Sequence, residues 1–451
     1  MTIQLFKGDI REVEADVLMV GCLEEEGCRG GAIADVNEVL GGEIQDILEA
    51  REFEGKRQTT CVVRVRGRMK ARHVVVVGLG KKADLDVERA RQAVGLGVVT
   101  AQKLKATSVA TVLFGAGQGA LPVRETAQAV AEALHLASYT FDTWKKKATS
   151  DTKLAKAVIV EKMQGKMLRA EAGMQLGTLM AEGALQAREL VNEPAQEMTP
   201  RHLKAVAERL AKLSKNITVQ IFGREEARRM GMHAFLAVAQ GSQHEPFFIH
   251  LRYAPKKPYD SGGLSLKPSD SMKTMKMDMA GAAAVLGCFS VIDSVAPSIE
   301  VHGIIAACEN MPSGTSYRPG DIVRAKNGLS IEIENTDAEG RVTLADALAY
   351  AVELKPSAII DMATLTGACI VALGEEIVGV MSNNDALAEK IFAAAGESGE
   401  EVWELPLFEG YDKLIDSQVA DVKNLGNKWG GALTAGLFLK RFVNGVPWVH
   451  L

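Results

Sequence analysis

The side chains that could perform chemistry are concentrated in the second half of the chain, beginning with the segment NTDAEGR. Asp337, Glu339 and Arg341 occupy alternate positions, so an extended backbone would direct all three to one side, at the end of a strand. Open α/β sheets bind ligands at that edge. In a cleft, two carboxylates beside a guanidinium suit a metal ion together with an anion or an oxyanion. The segment therefore predicts a metal site.

A second cluster, DSGGLSLK, contributes Asp260 and Lys267, and Asp278 follows just before a run of small residues with helical spacing. Four carboxylates result, Asp260, Asp278, Asp337 and Glu339, with Lys267 and Arg341 as cations, and neither cluster contains a histidine. Oxygen ligands of this kind favour a pair of divalent ions, and zinc, manganese and magnesium are all chemically plausible. Two such ions can activate one water molecule and polarise one carbonyl group.

Each of these residues also has an ordinary structural interpretation. Asp278 could cap a helix, Lys267 could be solvated and Arg341 could belong to a structural ion pair. Met275 could be a plain core residue. The eight histidines form no HExxH motif or other ligand pair, so we interpret His202, His233, His250 and His302 as packing or hydrogen-bonded residues. Taken jointly, the charged clusters are better explained by chemistry than by these alternatives.

Several segments resemble those of the leucyl aminopeptidase family: NTDAEGR, DSGGLSLKPS, ENMPSG, ATLTGA and GEEVWELPL. The resemblance is strong from about residue 190 to the end and weak before it. It implies a metal-dependent exopeptidase that removes the N-terminal residue, preferably leucine or another apolar residue, from peptides with a free N-terminus. It also implies a homohexamer, and a first domain of the macro type that serves assembly.

The resemblance implies a role for each charged residue. Asp260 and Glu339 would bridge two ions, Asp278 would complete the tighter site, and Asp337 would complete the more exchangeable one. Lys267 would polarise the substrate carbonyl.

Two further roles follow from the same resemblance. Arg341 would hold a bicarbonate ion that acts as the general base. The substrate-binding positions would be Met275, Asn335, Thr364, Leu365 and Gly367.

The sequence departs from the family pattern at two places. Pro255 stands where the family has a lysine that binds the tighter metal, and neither Lys256 nor Lys257 is in register to replace it. The chain also stops at Leu451, before a segment that closes the substrate pocket in the family. We hypothesise that residues are omitted near 258–259 and after the last residue.

If the sequence is literal, an alternative function becomes attractive. The protein would be a catalytically impaired relative that acts as a hexameric scaffold or as a DNA-binding protein. A third interpretation keeps the chemistry and narrows the substrate to one task, such as the breakdown of cysteinylglycine.

Alternation of apolar β-branched runs with amphipathic stretches predicts an α/β protein with two domains. We expect a smaller macro-like N-terminal domain over 1–165, a linker helix over 166–190, and a larger catalytic domain over 191–451 with a mixed central sheet flanked by helices. The main predicted strands are 16–20, 73–80, 109–114, 219–222, 247–253, 301–307 and 358–362. The main predicted helices are 87–105, 125–137, 167–191, 201–213, 344–354 and 386–395.

Composition restricts the classes of function. The chain has 451 residues, of which 47% are hydrophobic, so it can bury a large core. Its net charge of -5 argues against nucleic acid as a partner. It begins without a secretory signal and has no apolar run long enough for a membrane span, which predicts a cytoplasmic protein. The cysteines lack CxxC spacing and are expected to be reduced thiols.

Overall fold

The computed structural model describes residues 1–116, 121–146, 153–254 and 275–451. These residues form two compact units, Met1–Leu185 and Gln186–Leu451. Helices and strands alternate in both, which confirms the prediction of two α/β domains. The helix Gln164–Asn192 is continuous across the division between the units. The domain limits expected from the sequence, 165/166 and 190/191, stay a prediction.

The first unit contains a six-stranded sheet and the helices that follow its strands. Its strands are β1 (Thr2–Lys7), β2 (Val17–Leu23), β3 (Thr60–Arg64), β4 (His73–Gly80), β5 (Ser108–Val112) and β6 (Lys156–Glu161). Its helices are α1 (Gly31–Val39), α2 (Glu43–Glu49), α3 (Val87–Lys103), α4 (Val123–Ser138) and α5 (Gln164–Asn192).

The sheet of the first unit has the order β1-β6-β5-β2-β4-β3, with all neighbours parallel except β3 and β4. Both faces are covered. Val17 and Met19 of β2 belong to the cluster that includes α3 and α4, whereas Leu18 and Val20 belong to the cluster that includes α1. Successive strand residues point to opposite faces, so a continuous apolar strand is the expected pattern for a sheet buried on both sides.

The described residues of the second unit form three small sheets. Its strands are β7 (Ile217–Phe222), β8 (Phe247–Tyr253), β9 (Val301–Ala307), β10 (Ile322–Arg324), β11 (Ser330–Glu332), β12 (Ile359–Asp361), β13 (Val378–Ser382), β14 (Val402–Glu404), β15 (Val422–Lys423) and β16 (Trp448–His450). Its helices are α6 (Pro200–Leu213), α7 (Arg224–Arg229), α8 (His233–Ala239), α9 (Ala280–Val295), α10 (Glu339–Glu353), α11 (Gly367–Leu373), α12 (Asp385–Ser398) and α13 (Gly431–Lys440).

The antiparallel sheet β7-β8-β9 separates two hydrophobic clusters of the second unit. Phe248 and Ile304 pack on one side with α8 and α10, while Ile249 and Ile305 pack on the other side with α6 and α9. The other sheets have the orders β10-β11-β15 and β12-β16-β13-β14, and both contain parallel and antiparallel pairs. Helices α9 and α10 therefore pack on opposite faces of the β7-β8-β9 sheet.

The long predicted elements agree with the observed ones within a few residues. The predicted strands 73–80, 247–253 and 301–307 have the observed limits of β4, β8 and β9. The sequence did not predict β1, β3, β6, β10, β11, β13, β14, β15 and β16, most of which are short or lie at a sheet edge. The six cysteines are all free thiols, as expected. Among the described residues, no helix has the length and apolarity needed to cross a membrane.

Candidate active site

The signature segment forms a turn followed by a helix. Strand β11 ends at Glu332, Asp337 lies in a turn, and Glu339 is the first residue of α10. The expected extended conformation of residues 337–341 is therefore wrong. The backbone N–H of Asp337 donates to Asn335 Oδ1 at 2.8 Å, a short-range bond that competes with strand pairing. Glu339 and Arg341 thus lie in the first turn of a helix.

Neighbouring side chains hold this turn in place. Asn310, which follows β9, donates from Nδ2 to Thr336 O at 2.8 Å and to Glu339 Oε2 at 3.3 Å. The Tyr317 hydroxyl donates to the same Thr336 carbonyl at 2.9 Å. Burial raises the pKa of Tyr317, so this hydroxyl remains a donor at neutral pH. Neither residue was assigned a role from the sequence, although Asn310 lies within the ENMPSG segment.

Asp278 and Glu339 line the same cavity. Asp278 lies immediately before Met279, the N-cap of α9, and each of the two carboxylates is only 1% exposed. Met275 and Cys308 line this cavity as well. Burial raises the pKa of the Cys308 thiol to about 12. The helix-cap interpretation of Asp278 is wrong, because the cap position belongs to Met279.

Arg341 is a buried cation on the first turn of α10, with 5% of its surface exposed. Its Nη1 has no hydrogen-bond partner among the described residues. Burial lowers the pKa of Arg341 to about 10, and the nearby Glu339 carboxylate partly opposes this effect. The guanidinium is still protonated at neutral pH. A buried donor of this kind calls for an anion or another acceptor.

The carboxylate oxygens of Asp278 and Glu339 are of the chemical type that divalent ions bind in proteins. Asp278 and Glu339 offer buried carboxylate oxygens, and such groups need a cation or hydrogen-bond donors to remain ionised. Asp260 and Lys267 lie outside the described residues. Within the part of the chain that is described, no three His, Cys, Asp or Glu side chains are grouped so that they could hold a metal ion by themselves.

The expected substrate-binding residues lie in three places. Met275 lines the cavity with the two carboxylates, and Asn335 shapes the turn that carries Asp337. Thr364, Leu365 and Gly367 follow β12 and lead into α11.

These three residues after β12 differ in their surroundings. Thr364 Oγ1 is buried without a hydrogen-bond partner among the described residues, and the Leu365 side chain packs into the core. A Cβ atom added at Gly367 would meet open space. Gly367 is therefore exposed, whereas Leu365 is buried and Thr364 is partly buried.

A buried hydrogen-bonded array starts from the same helix. Tyr350 on α10 contacts His250 Nδ1 through its hydroxyl at 2.9 Å, and His250 Nε2 contacts His302 Nδ1 at 2.6 Å. His302 Nε2 reaches Glu300 at 2.6 Å, and Arg252 forms a bidentate pair with that carboxylate. The interpretation of these two histidines as hydrogen-bonded structural residues is confirmed.

Comparison with known proteins decides the family. The sequence model of the "Cytosol aminopeptidase family, catalytic domain" matches residues 185–451. The chain belongs to the cytosol aminopeptidase family. The family's N-terminal domain matches residues 19–148. Proteins from Persephonella marina and Aquifex aeolicus, both named "Probable cytosol aminopeptidase", are 41% and 40% identical to it over its whole length and are covered to 93% and 92% of theirs.

Solved structures give the same result for the fold. A tomato leucine aminopeptidase mutant superposes with a TM-score of 0.90 at 33% identity, over 100% of this chain and 91% of the other. The bottromycin maturation enzyme BotP, solved in complex with Mn, gives a TM-score of 0.83 at 31% identity, over 97% and 91% of the two chains. This cytosol aminopeptidase family member is a metal-dependent aminopeptidase, and the resemblance noted in its sequence is confirmed.

Proposed function

We propose that this aminopeptidase hydrolyses the peptide bond after the N-terminal residue, with leucine and other apolar residues preferred at that position. The observation that carries the proposal is the pair of buried carboxylates, Asp278 and Glu339, which line one cavity together with Met275. The apolar side chain of Met275 favours an apolar first residue. A methylene group more or less changes such a preference only modestly.

The proposed metal ligands are Asp260, Asp278, Asp337 and Glu339, which would hold two divalent ions, either zinc or manganese, with magnesium possible. When bound, two ions supply an activated water molecule and a polarised carbonyl group. The all-carboxylate donor set supports hard or borderline cations. BotP, a related fold, is solved with Mn, which supports manganese as the first ion to test.

Two cationic side chains complete the proposed machinery. Arg341 would hold a bicarbonate ion as general base, and its buried, unpartnered Nη1 supports an anion at this position. Lys267 would donate to the substrate carbonyl oxygen as negative charge develops there. The fixed, planar guanidinium suits a bidentate oxyanion, so replacement by lysine should not be equivalent.

We also propose that the protein is a cytoplasmic homohexamer. The names of its relatives support the cytosol as the location. Sedimentation velocity of the purified chain would test the assembly, because a hexamer and a monomer differ sixfold in mass.

The test is hydrolysis of leucine amide by metal-stripped protein to which zinc, manganese or magnesium is added back singly. Glu339→Ala should lower kcat/KM by more than about a hundredfold. Mutating a group that only orients metal ligands already lowers metal affinity or activity by about 10–100-fold, and removing a ligand should lower activity further. The matched control is Glu353→Ala at the other end of α10, where Glu353 is 56% exposed and pairs only with Lys326 among the described residues. That variant should keep full activity.

Two results would contradict the proposal. One is a folded chain that hydrolyses leucine amide with none of the three ions. The other is equal loss of activity in the Glu339 and Glu353 variants, which would indicate damage to the helix rather than to a metal site.

A further inference from the structure

Asn424 is a fully buried amide that follows strand β15, far along the chain from the signature segment. Strand β15 pairs in parallel with β11, and the backbone N–H of Asn424 continues this ladder by donating to Glu332 O at 2.9 Å. Beyond Glu332 the backbone leaves the strand and enters the turn that carries Asp337. Asn424 therefore lies where strand pairing ends and the turn begins.

The side chain of Asn424 takes over hydrogen bonds that strand pairing no longer supplies. Its Oδ1 accepts from the N–H groups of Glu334 at 2.8 Å and Asn335 at 3.2 Å. Its Nδ2 donates to the carbonyls of Asn335 at 2.7 Å and Ala338 at 3.3 Å. Only an amide of this size offers an acceptor and two donors in that arrangement. The turn from 334 to 338 is thus held at both its beginning and its end.

We propose that Asn424 is a positioning residue for the metal-binding turn, a role that rests on the function proposed above. It fixes where Asp337 and Glu339 lie by binding the backbone on either side of Asp337, and its own bonds are to the backbone of the turn rather than to either carboxylate. Asn335 also helps to position Asp337, because its Oδ1 accepts from the Asp337 N–H. Asn310 adds a direct bond to Glu339 Oε2.

Asn424→Asp tests this role with little change in volume. Aspartate keeps the acceptor for Glu334 and Asn335 but loses both donors, and its second oxygen would face the Asn335 and Ala338 carbonyls. The turn should shift, and the affinity for Mn²⁺ should fall by about 10–100-fold, as is typical when a group that orients metal ligands is altered. Equilibrium dialysis with Mn²⁺ measures this affinity without relying on turnover. Asn424→Ser keeps a small donor and leaves room for water, so its affinity for Mn²⁺ should fall less than that of Asn424→Asp.

The matched control is Asn383→Asp. Asn383 also bridges backbone groups, since it accepts from Trp448 N at 2.7 Å and donates to Val446 O at 2.9 Å, but it lies between β13 and β16. Its substitution should lower thermal stability while the dissociation constant for Mn²⁺ stays unchanged. A structural role, as expected for Asn383, and a positioning role, as proposed for Asn424, are therefore distinguished by the affinity for Mn²⁺ rather than by thermal stability.

Three outcomes overturn the inference about Asn424. They are an unchanged Mn²⁺ affinity in folded Asn424→Asp, an equal loss of affinity in Asn383→Asp, and failure of both Asn424 variants to fold while Asn383→Asp folds, which would assign the residue to folding. If the unaltered chain binds Mn²⁺ but does not hydrolyse leucine amide, the proposed function fails and dialysis still decides the role of Asn424. If the unaltered chain binds neither Mn²⁺ nor Zn²⁺, both proposals are overturned.

Discussion

The two units treat their buried polar groups differently. In the first unit, the buried Thr126 hydroxyl bonds within its own helical turn, donating to Pro122 O at 2.7 Å, and the buried Glu132 accepts from Gln128 on its own helix and from Arg91 on the neighbouring α3. In the second unit, two buried carboxyl groups accept hydrogen bonds from donors farther away in the sequence. Asp361 accepts from Trp448 Nε1 and from His450 Nδ1, and Asp346 accepts from Phe235 N at 2.8 Å.

The difference follows from what each unit must do. A polar side chain that makes its hydrogen bond within its own helix adds little to the free energy of unfolding. It also does little to determine which segments pack together. Buried carboxyl groups that bond to distant segments are costly to desolvate, and they fix the relative positions of those segments. Asp346 and Asp361, in the unit with the candidate active site, bond in the second way. A scaffold that must hold several carboxylates in place needs fixed segments behind them.

The largest expected effect comes from removing such a long-range group. Asp361→Ala leaves the buried donors of Trp448 and His450 without their acceptor, and the free energy of unfolding should fall by about 3 kcal/mol or more. Glu132→Ala in the first unit is the matched change. Arg91 loses its 2.9 Å bond to Glu132 but keeps Glu88, so the loss should be about 1 kcal/mol. Urea unfolding measures both, and equal losses would break the comparison between the units.

An intermediate effect is expected from acid. Burial lowers the pKa of His250 to about 4, and the neighbouring His302 and Arg252 add to this effect. Between that value and the ordinary pKa of about 6.5, the unfolded chain binds a proton that the folded chain does not, so stability falls as the pH decreases through this window. From pH 7 to pH 5 the loss should be about 2 kcal/mol.

The acid effect can be assigned by comparison with His250→Gln, which should lack this part of the pH dependence. Asp346 acts in the opposite direction, because burial raises its pKa to about 7 and its protonation therefore favours the folded chain as the pH decreases. The Asp346 contribution is present in the unaltered chain and in His250→Gln, so it cancels when their free energies of unfolding are subtracted. Parallel stability curves for the unaltered chain and His250→Gln would show that the His250 imidazole does not carry the effect.

The smallest effect is expected from Thr126→Val. The hydroxyl bonds only within its helix, so its loss should change the free energy of unfolding by less than about 1 kcal/mol. The same urea experiment measures it, with Asp361→Ala as the reference. A loss as large as that of Asp361→Ala would show that local bonds also determine the structure of the first unit.

The sequence predicts long apolar elements well and local geometry at the site less well. Strands β8 and β9 were located because continuous apolar runs have few alternative structures. The extended conformation predicted for Asp337 was wrong. The alternate spacing of Asp337, Glu339 and Arg341 is compatible with a strand, but the Asn335 side chain and the start of α10 impose a turn. Asn424 could not be identified, since a single asparagine almost 90 residues away carries no periodic signal.

The array from Tyr350 to Glu300 also has a direction. Arg252 is the main cause of the lowered pKa of Glu300, so that carboxylate is ionised and can only accept. His302 must then carry its proton on Nε2 and accept at Nδ1, which requires His250 to donate from Nε2 and to accept from the Tyr350 hydroxyl. One carboxylate thus selects the tautomer of two imidazoles and the orientation of a phenol on the helix that carries Glu339.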